Sequence, residues 1–299
     1  MYAATDPRAA LNKEPAKAPT PTAFQGAEYA RFYDTPPGER SASASTWYTR
    51  GQNMIVAYTR AKAGAVFERS GQIDEYVLLI PSAATTARVE ANGETKAVAG
   101  YSVTMIPPGS SRLTIETDGE IVRLFTTRSA DLCARAPNNA GYANGDPNIP
   151  PFAAWPVPRD GFKIRSYSLD VPKQAGRFGR IFRCSTIMVN YIEPAQGPRD
   201  IKKLSPHHHD DFEQYSLALA GSYTHHLRWP WTPDGTIWRE DEHAVCDAPS
   251  VAVIPPPAIH TSRCEAPGLN QLVDLFSPPR RDFSEKAGWV LNAADYPMP

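Results

Sequence analysis

The chain carries seven histidines, and none lies outside residues 207 to 260. Long apolar runs are also missing. Nothing approaches the ~18 consecutive apolar residues of a membrane-spanning helix, so no membrane span is expected. The cysteines number only four, Cys133, Cys184, Cys246 and Cys264, with no C-x-x-C pair among them. That excludes the common zinc-ribbon and dithiol spacings and gives no disulfide framework. Charge of one sign is not in excess, the net charge being -1. There is no basic stripe for nucleic acid and no acidic tail. The first residues contain no apolar h-region, so the expectation is a cytoplasmic protein with reduced thiols. Helical patterns are scarce, and the best is a short one around Phe283–Gly288.

Proline is abundant instead, at 30 of 299 residues, much of it in pairs between short apolar runs. Runs such as 75–80, 101–106, 214–219 and 251–254 are rich in β-branched and aromatic residues. Gly, Pro, Asn or Ser bound them, as expected of strands joined by rigid turns. Residues 1–27, rich in Pro and Ala, read as an arm that precedes the folded body.

Two segments recur. Asp74-Glu75-Tyr76 before an apolar run matches Glu213-Gln214-Tyr215. Met105-Ile-Pro-Pro-Gly-Ser-Ser-Arg112 matches Val253-Ile-Pro-Pro-Pro-Ala-Ile-His260. A longer hairpin around residues 227–235 accounts for the different offsets of the two matches. The expectation is two tandem β units, 28–145 and 146–299. In this register His207 falls on Glu68, His209 on Ser70, Gln214 on Glu75 and His260 on Arg112. The first unit has lost every imidazole. Glu68, Glu75 and Arg112 are candidates for a buried polar network in place of a metal.

His207-x-His209 on an extended strand puts two imidazoles on one face, because side chains alternate with period two. A carbonyl- or carboxylate-bearing residue follows, and His260 arrives later. Three imidazoles and one oxygen donor suit a divalent transition metal. His208 should face away. The hairpin strand after Gly221 puts either Tyr223, His225 and Leu227 or Thr224, His226 and Arg228 inside. The polar set would suit catalysis, with Arg228 clamping a carboxylate and His226 moving protons.

These residues resemble the cupin superfamily. Its first motif is matched by His207-x-His209, four residues, Gln214, six residues and Gly221. Its second is matched by the run from Pro255 to His260, with Pro257 where the family has Gly. The resemblance covers both halves, as in a bicupin. It implies an all-β fold of two tandem double-stranded β-helix (jelly-roll) barrels, with the metal in the second. It implies ligands His207, His209, Gln214 and His260, with Glu213 as the alternative to Gln214. One metal per chain is expected, iron first, with nickel, manganese or zinc also suited. The implied activity is a dioxygenase acting on a small oxygenated molecule. An isomerase or lyase, or a ligand-binding bicupin without turnover, is the alternative. The family also implies a homodimer.

Overall fold

The computed structural model describes residues 21–299, so most of the expected N-terminal arm lies outside the described residues. The regular structure is almost entirely strand, arranged as two jelly-roll barrels. Each barrel pairs a large sheet with a small one. The first large sheet runs, in hydrogen-bonded order, Arg165–Ser168, Ser102–Ile106, Tyr76–Ile80, Gly119–Thr126, Met54–Ala61, Ala44–Arg50 and Glu39–Arg40. The second runs Glu28–Arg31, Ser250–Ile254, Gln214–Ala220, Leu269–Phe276, Met188–Tyr191 and Arg180–Arg183. Read strand by strand, the two orders match. The repeat seen in sequence is therefore a repeat of topology.

The expected cut at 145/146 does not separate the sheets. The strand Glu28–Arg31 pairs with Ser250–Ile254 of the second barrel. The strand Arg165–Ser168 pairs with Ser102–Ile106 of the first. Each barrel lends its leading strand to the other, which covers one exposed edge of each large sheet.

Period-two alternation decides where the core sits. Val77 and Leu79 face the other barrel and join Val122, Leu124, Tyr215, Leu217, Val273 and Leu275 in one buried cluster. Tyr76, Leu78 and Ile80 face into the first barrel. The two large sheets are thus packed face to face, and the largest core belongs to both barrels. The expected short helix near residue 283 is a single turn, Arg281–Ser284. The expected longer hairpin is present as well. Ala87–Ala91 and Glu94–Val98 are joined by Asn92-Gly93, both at positive φ. Their counterparts Ser222–Arg228 and Glu242–Asp247 are joined by residues 229–241.

Two buried carboxylates mark the seam in matching positions. Glu213 accepts from the Gln52 backbone N–H at 2.7 Å and the Tyr215 hydroxyl at 2.7 Å. Glu75 accepts from the Ser185 backbone N–H at 3.1 Å and the Tyr296 hydroxyl at 2.9 Å. Gly51 passes close by. A Cβ there would fall inside van der Waals contact of the Tyr215 hydroxyl and the Glu213 carboxylate. Gly51→Ala should therefore cost roughly 1–3 kcal/mol, the usual range for overpacking a well-filled core. Urea unfolding of the variant beside the wild type checks this.

Candidate metal centre

His207 and His209 lie on the extended stretch that enters the second barrel just before the strand Gln214–Ala220. His260 lies on Ile259–Cys264. A backbone bridge locks the two histidine segments together. His207 N–H donates to His260 O at 3.0 Å, and His260 N–H to His207 O at 2.7 Å. Alternation then buries His207 and His209 and leaves His208 exposed, where it meets Asp210.

The three buried imidazoles converge, with one potential ligand atom from each lying within 4.8 Å of the others. The His207 Nδ1 is 2.9 Å from Ser205 O, and the His260 Nδ1 is 2.9 Å from Ala258 O. A carbonyl can only accept, so each Nδ1 carries the proton and each Nε2 keeps its lone pair. Backbone carbonyls in this role fix tautomer and ring orientation, as in most imidazole metal sites.

Gln214 brings an amide oxygen beside these imidazoles. Its Nε2 donates to Ser216 Oγ at 3.0 Å and to Asp274 Oδ1 at 3.2 Å. Ser216 Oγ donates to the same Asp274 oxygen at 3.0 Å. With its N–H groups held there, the amide turns Oε1 toward His209 Nε2, 3.1 Å away. Burial holds His209 well below the ordinary histidine range, and the charge of Arg280 adds to this. A neutral imidazole is the form that binds metal. The donor set of three imidazoles and one amide oxygen fits a divalent transition metal.

The structure corrects three expectations. Glu213 is no alternative ligand, because strand alternation turns it to the barrel seam, opposite Gln214. His226 and Arg228 do not enter the barrel. Tyr223, His225 and Leu227 are buried instead, since the apolar set takes the inner face. Arg228 forms an outer ion pair with Asp241, and His226 meets His243 across the strands. His226→Ala and Arg228→Ala should each leave metal content unchanged, which elemental analysis of the purified variants checks.

The third correction concerns the empty repeat. Glu68 and Arg112 form an ion pair outside the first barrel, while Glu75 faces the seam. Tyr76 pairs with Ile106 as Gln214 pairs with Ile254, and Pro-Pro follows both isoleucines. Gln214 therefore matches Tyr76, one residue on from the sequence alignment. Counted from the Pro-Pro turn, Gly109–Ile115 faces inward one residue earlier than its counterpart, at Ser111, and Arg112 is turned outward. In the first barrel a Tyr76–Ser111 hydrogen bond of 2.9 Å takes the place that Gln214 and His260 hold in the second.

Sequence reasoning missed several residues around the site. A cavity of about 280 Å³ opens onto His207, Gln214 and His260, with Arg199, Ser262 and Asp274 on its wall. Behind Ser262 lies His225, with Nδ1 2.8 Å from Ser262 Oγ. Burial pushes His225 down to about 3, with the nearby His260 adding to the effect. The polar set on the outer face drew attention from it. Asp274 and Arg199 carry no local motif, and only the fold brings them to the site. Among the described residues no helix is long and apolar enough to cross a membrane.

No protein-family model and no curated protein matches the chain. Solved structures do. An oxalate decarboxylase of Lactobacillus farciminis in complex with formate superposes with a TM-score of 0.57 at 13% identity, over 84% of this chain and 86% of that one. A variant oxalate decarboxylase of Bacillus subtilis gives 0.57 at 13% identity, over 88% and 79%. AerE from Microcystis aeruginosa gives 0.51 at 8% identity, over 82% and 97%. Together with the paired sheet orders and the converging histidines, this likeness shows that the chain has the bicupin fold.

Proposed function

We propose that the second barrel holds one divalent transition metal through His207, His209, Gln214 and His260. In this reading the chain is an enzyme that acts on a small oxygenated organic molecule, as a dioxygenase-type oxidoreductase. The observation that carries the reading is the convergence of three buried imidazoles and an oriented amide oxygen, with His207, His260 and Gln214 on the wall of a cavity. All four donors are neutral, so a bound metal would keep its full 2+ charge and supply strong Lewis acidity. Iron(II) suits that set, as do nickel, manganese and zinc.

The protein's own groups favour an acidic substrate. Arg199 places a positive charge on the cavity wall, held there by Ser205 Oγ at 2.9 Å and Lys203 O at 2.8 Å. Leu272, Ile192 and Tyr223 supply apolar wall. Asp274 orients the Gln214 amide and keeps it aimed at the histidines.

A second reading, cleavage without oxygen by a lyase, draws support from the oxalate decarboxylases among the structural neighbours. Oxygen uptake separates the two. The iron-loaded protein is given a panel of small keto, hydroxy, dicarboxylic and phenolic acids, oxalate included, with an oxygen electrode and product NMR as readouts. Oxygen consumed in step with substrate, and lost in Gln214→Ala, supports the dioxygenase. Turnover unchanged under strict anaerobiosis transfers the assignment to the lyase. Tight binding with no turnover leaves a ligand-binding bicupin.

A further inference from the structure

The first barrel holds a buried arginine where the second holds Asp274. Asp274 lies opposite Ser216 and Asn190 on the neighbouring strands. Arg123 lies opposite Leu78 and Ala57. Since Tyr76 matches Gln214, Leu78 matches Ser216, and Arg123 occupies the place of Asp274. The charge at the heart of the barrel is inverted.

Arg123 is 7% exposed, and its Nε is buried with no hydrogen-bond partner. Its guanidinium lies 4.1 Å from the centroid of the Phe67 ring. Two other arginines stand close to the tyrosines that flank it, and each has its own carboxylate. Arg69 pairs with Asp131 at 2.6 Å. Arg135 pairs with Glu39, which also accepts from the Tyr48 hydroxyl at 2.7 Å. Among the described residues no carboxylate pairs with Arg123. The cluster is three guanidinium groups against two carboxylates, and the unmatched one is the deepest.

The Glu39 carboxylate, already paired with Arg135, reaches Arg123 only electrostatically, and a buried cation so incompletely compensated is costly. Burial also pulls the Arg123 guanidinium below its ordinary range. An arginine kept in such a place is well explained by an anion that comes and goes. The Phe67 ring covers one face of the fork, and the in-plane N–H edge is the part that matches a carboxylate. The hydroxyls of Tyr48 and Tyr76 are next to it, both reaching Arg123 electrostatically.

We propose that the metal-free first barrel is a binding site for a small carboxylate, with Arg123 as its anchor and Tyr48 and Tyr76 beside it. The second barrel would recognise its ligand through a metal, and the first through a guanidinium at the equivalent position.

The test is thermal unfolding of the full chain in acetate against chloride at fixed ionic strength. It is run in the His260→Ala variant, which removes acetate binding through a metal at the second barrel, and any contribution of Arg199 is common to all samples compared. The expected result is a midpoint that rises with acetate and saturates. In the His260→Ala, Arg123→Met double variant the response should weaken by roughly tenfold or more, since hydrogen bonds to a charged group are lost. Equal unfolding in acetate and chloride overturns the proposal, as does an acetate response that is undiminished in Arg123→Met. Should that variant not fold, Arg123→Lys replaces it, keeping the charge and losing the fork. An undiminished acetate response there also overturns the proposal.

Discussion

The His260→Ala protein is expected to purify without metal, where the wild type carries about one transition-metal ion per chain. His260 is nearly fully buried, and its Nδ1 is fixed by the Ala258 carbonyl, so the ring is set for its Nε2 to bind. Loss of a supporting hydrogen bond around a metal ligand already costs roughly 10–100-fold in affinity. Loss of the ligand itself should exceed that. Two measurements check it together. Elemental analysis reads occupancy, and thermal unfolding with and without a chelator reads linkage, because metal that binds only the folded state raises its midpoint. The wild type should lose stability on chelation and the variant should not. His208→Ala is the control, since His208 is exposed and points away from the cluster. Metal retained by His260→Ala at wild-type level would overturn the assignment of the site.

Much of this centre was legible because its signals are local. The His207-x-His209 spacing works through strand alternation, and alternation needs only a strand. The Pro-Pro turns at Pro107 and Pro255 marked equivalent corners of two barrels, so the repeat was visible without coordinates. What stayed hidden depends on registers that sequence does not carry. A turn one residue shorter after the Pro-Pro pair moved the match of His260 from Arg112 to Ser111. The choice between two faces of Ser222–Arg228 went to the apolar one, because the barrel interior there is closed by Leu227, Trp229 and Phe24. Polar residues drew the functional reading outward to His226 and Arg228, while the buried His225 stood directly before them. The exchange of leading strands between barrels was equally hidden, since Glu28–Arg31 and Arg165–Ser168 carry no mark of their partners.

The second large effect concerns the seam, and it is expected in the pH dependence of stability. Burial pushes the Glu213 carboxyl up to about 7 in the folded chain, against an ordinary value of 4.5. A raised folded-state value means that the native protein holds this proton more tightly than the unfolded chain does. The contribution is therefore complete below pH 4.5 and is lost as pH rises to about 7. By pH 8 the loss is about 3 kcal/mol, from 1.36 kcal/mol per unit. The amide of Glu213→Gln has no proton to lose and can still accept from Gln52 N–H or the Tyr215 hydroxyl. Relative to wild type, the variant should gain stability steadily from about pH 4.5 to 7. Other groups titrate in the same range. Glu75 is raised by burial and acts in the same direction. His209 and His225 are lowered and act in the opposite one, gaining stability as pH rises toward 6.5. These groups remain in both proteins, so the difference between the two curves isolates Glu213. Urea unfolding at a series of pH values, with chelator in both samples, gives that difference. Parallel curves would mean that the carboxyl is ionised at the seam throughout, held by its two donors more strongly than burial opposes it.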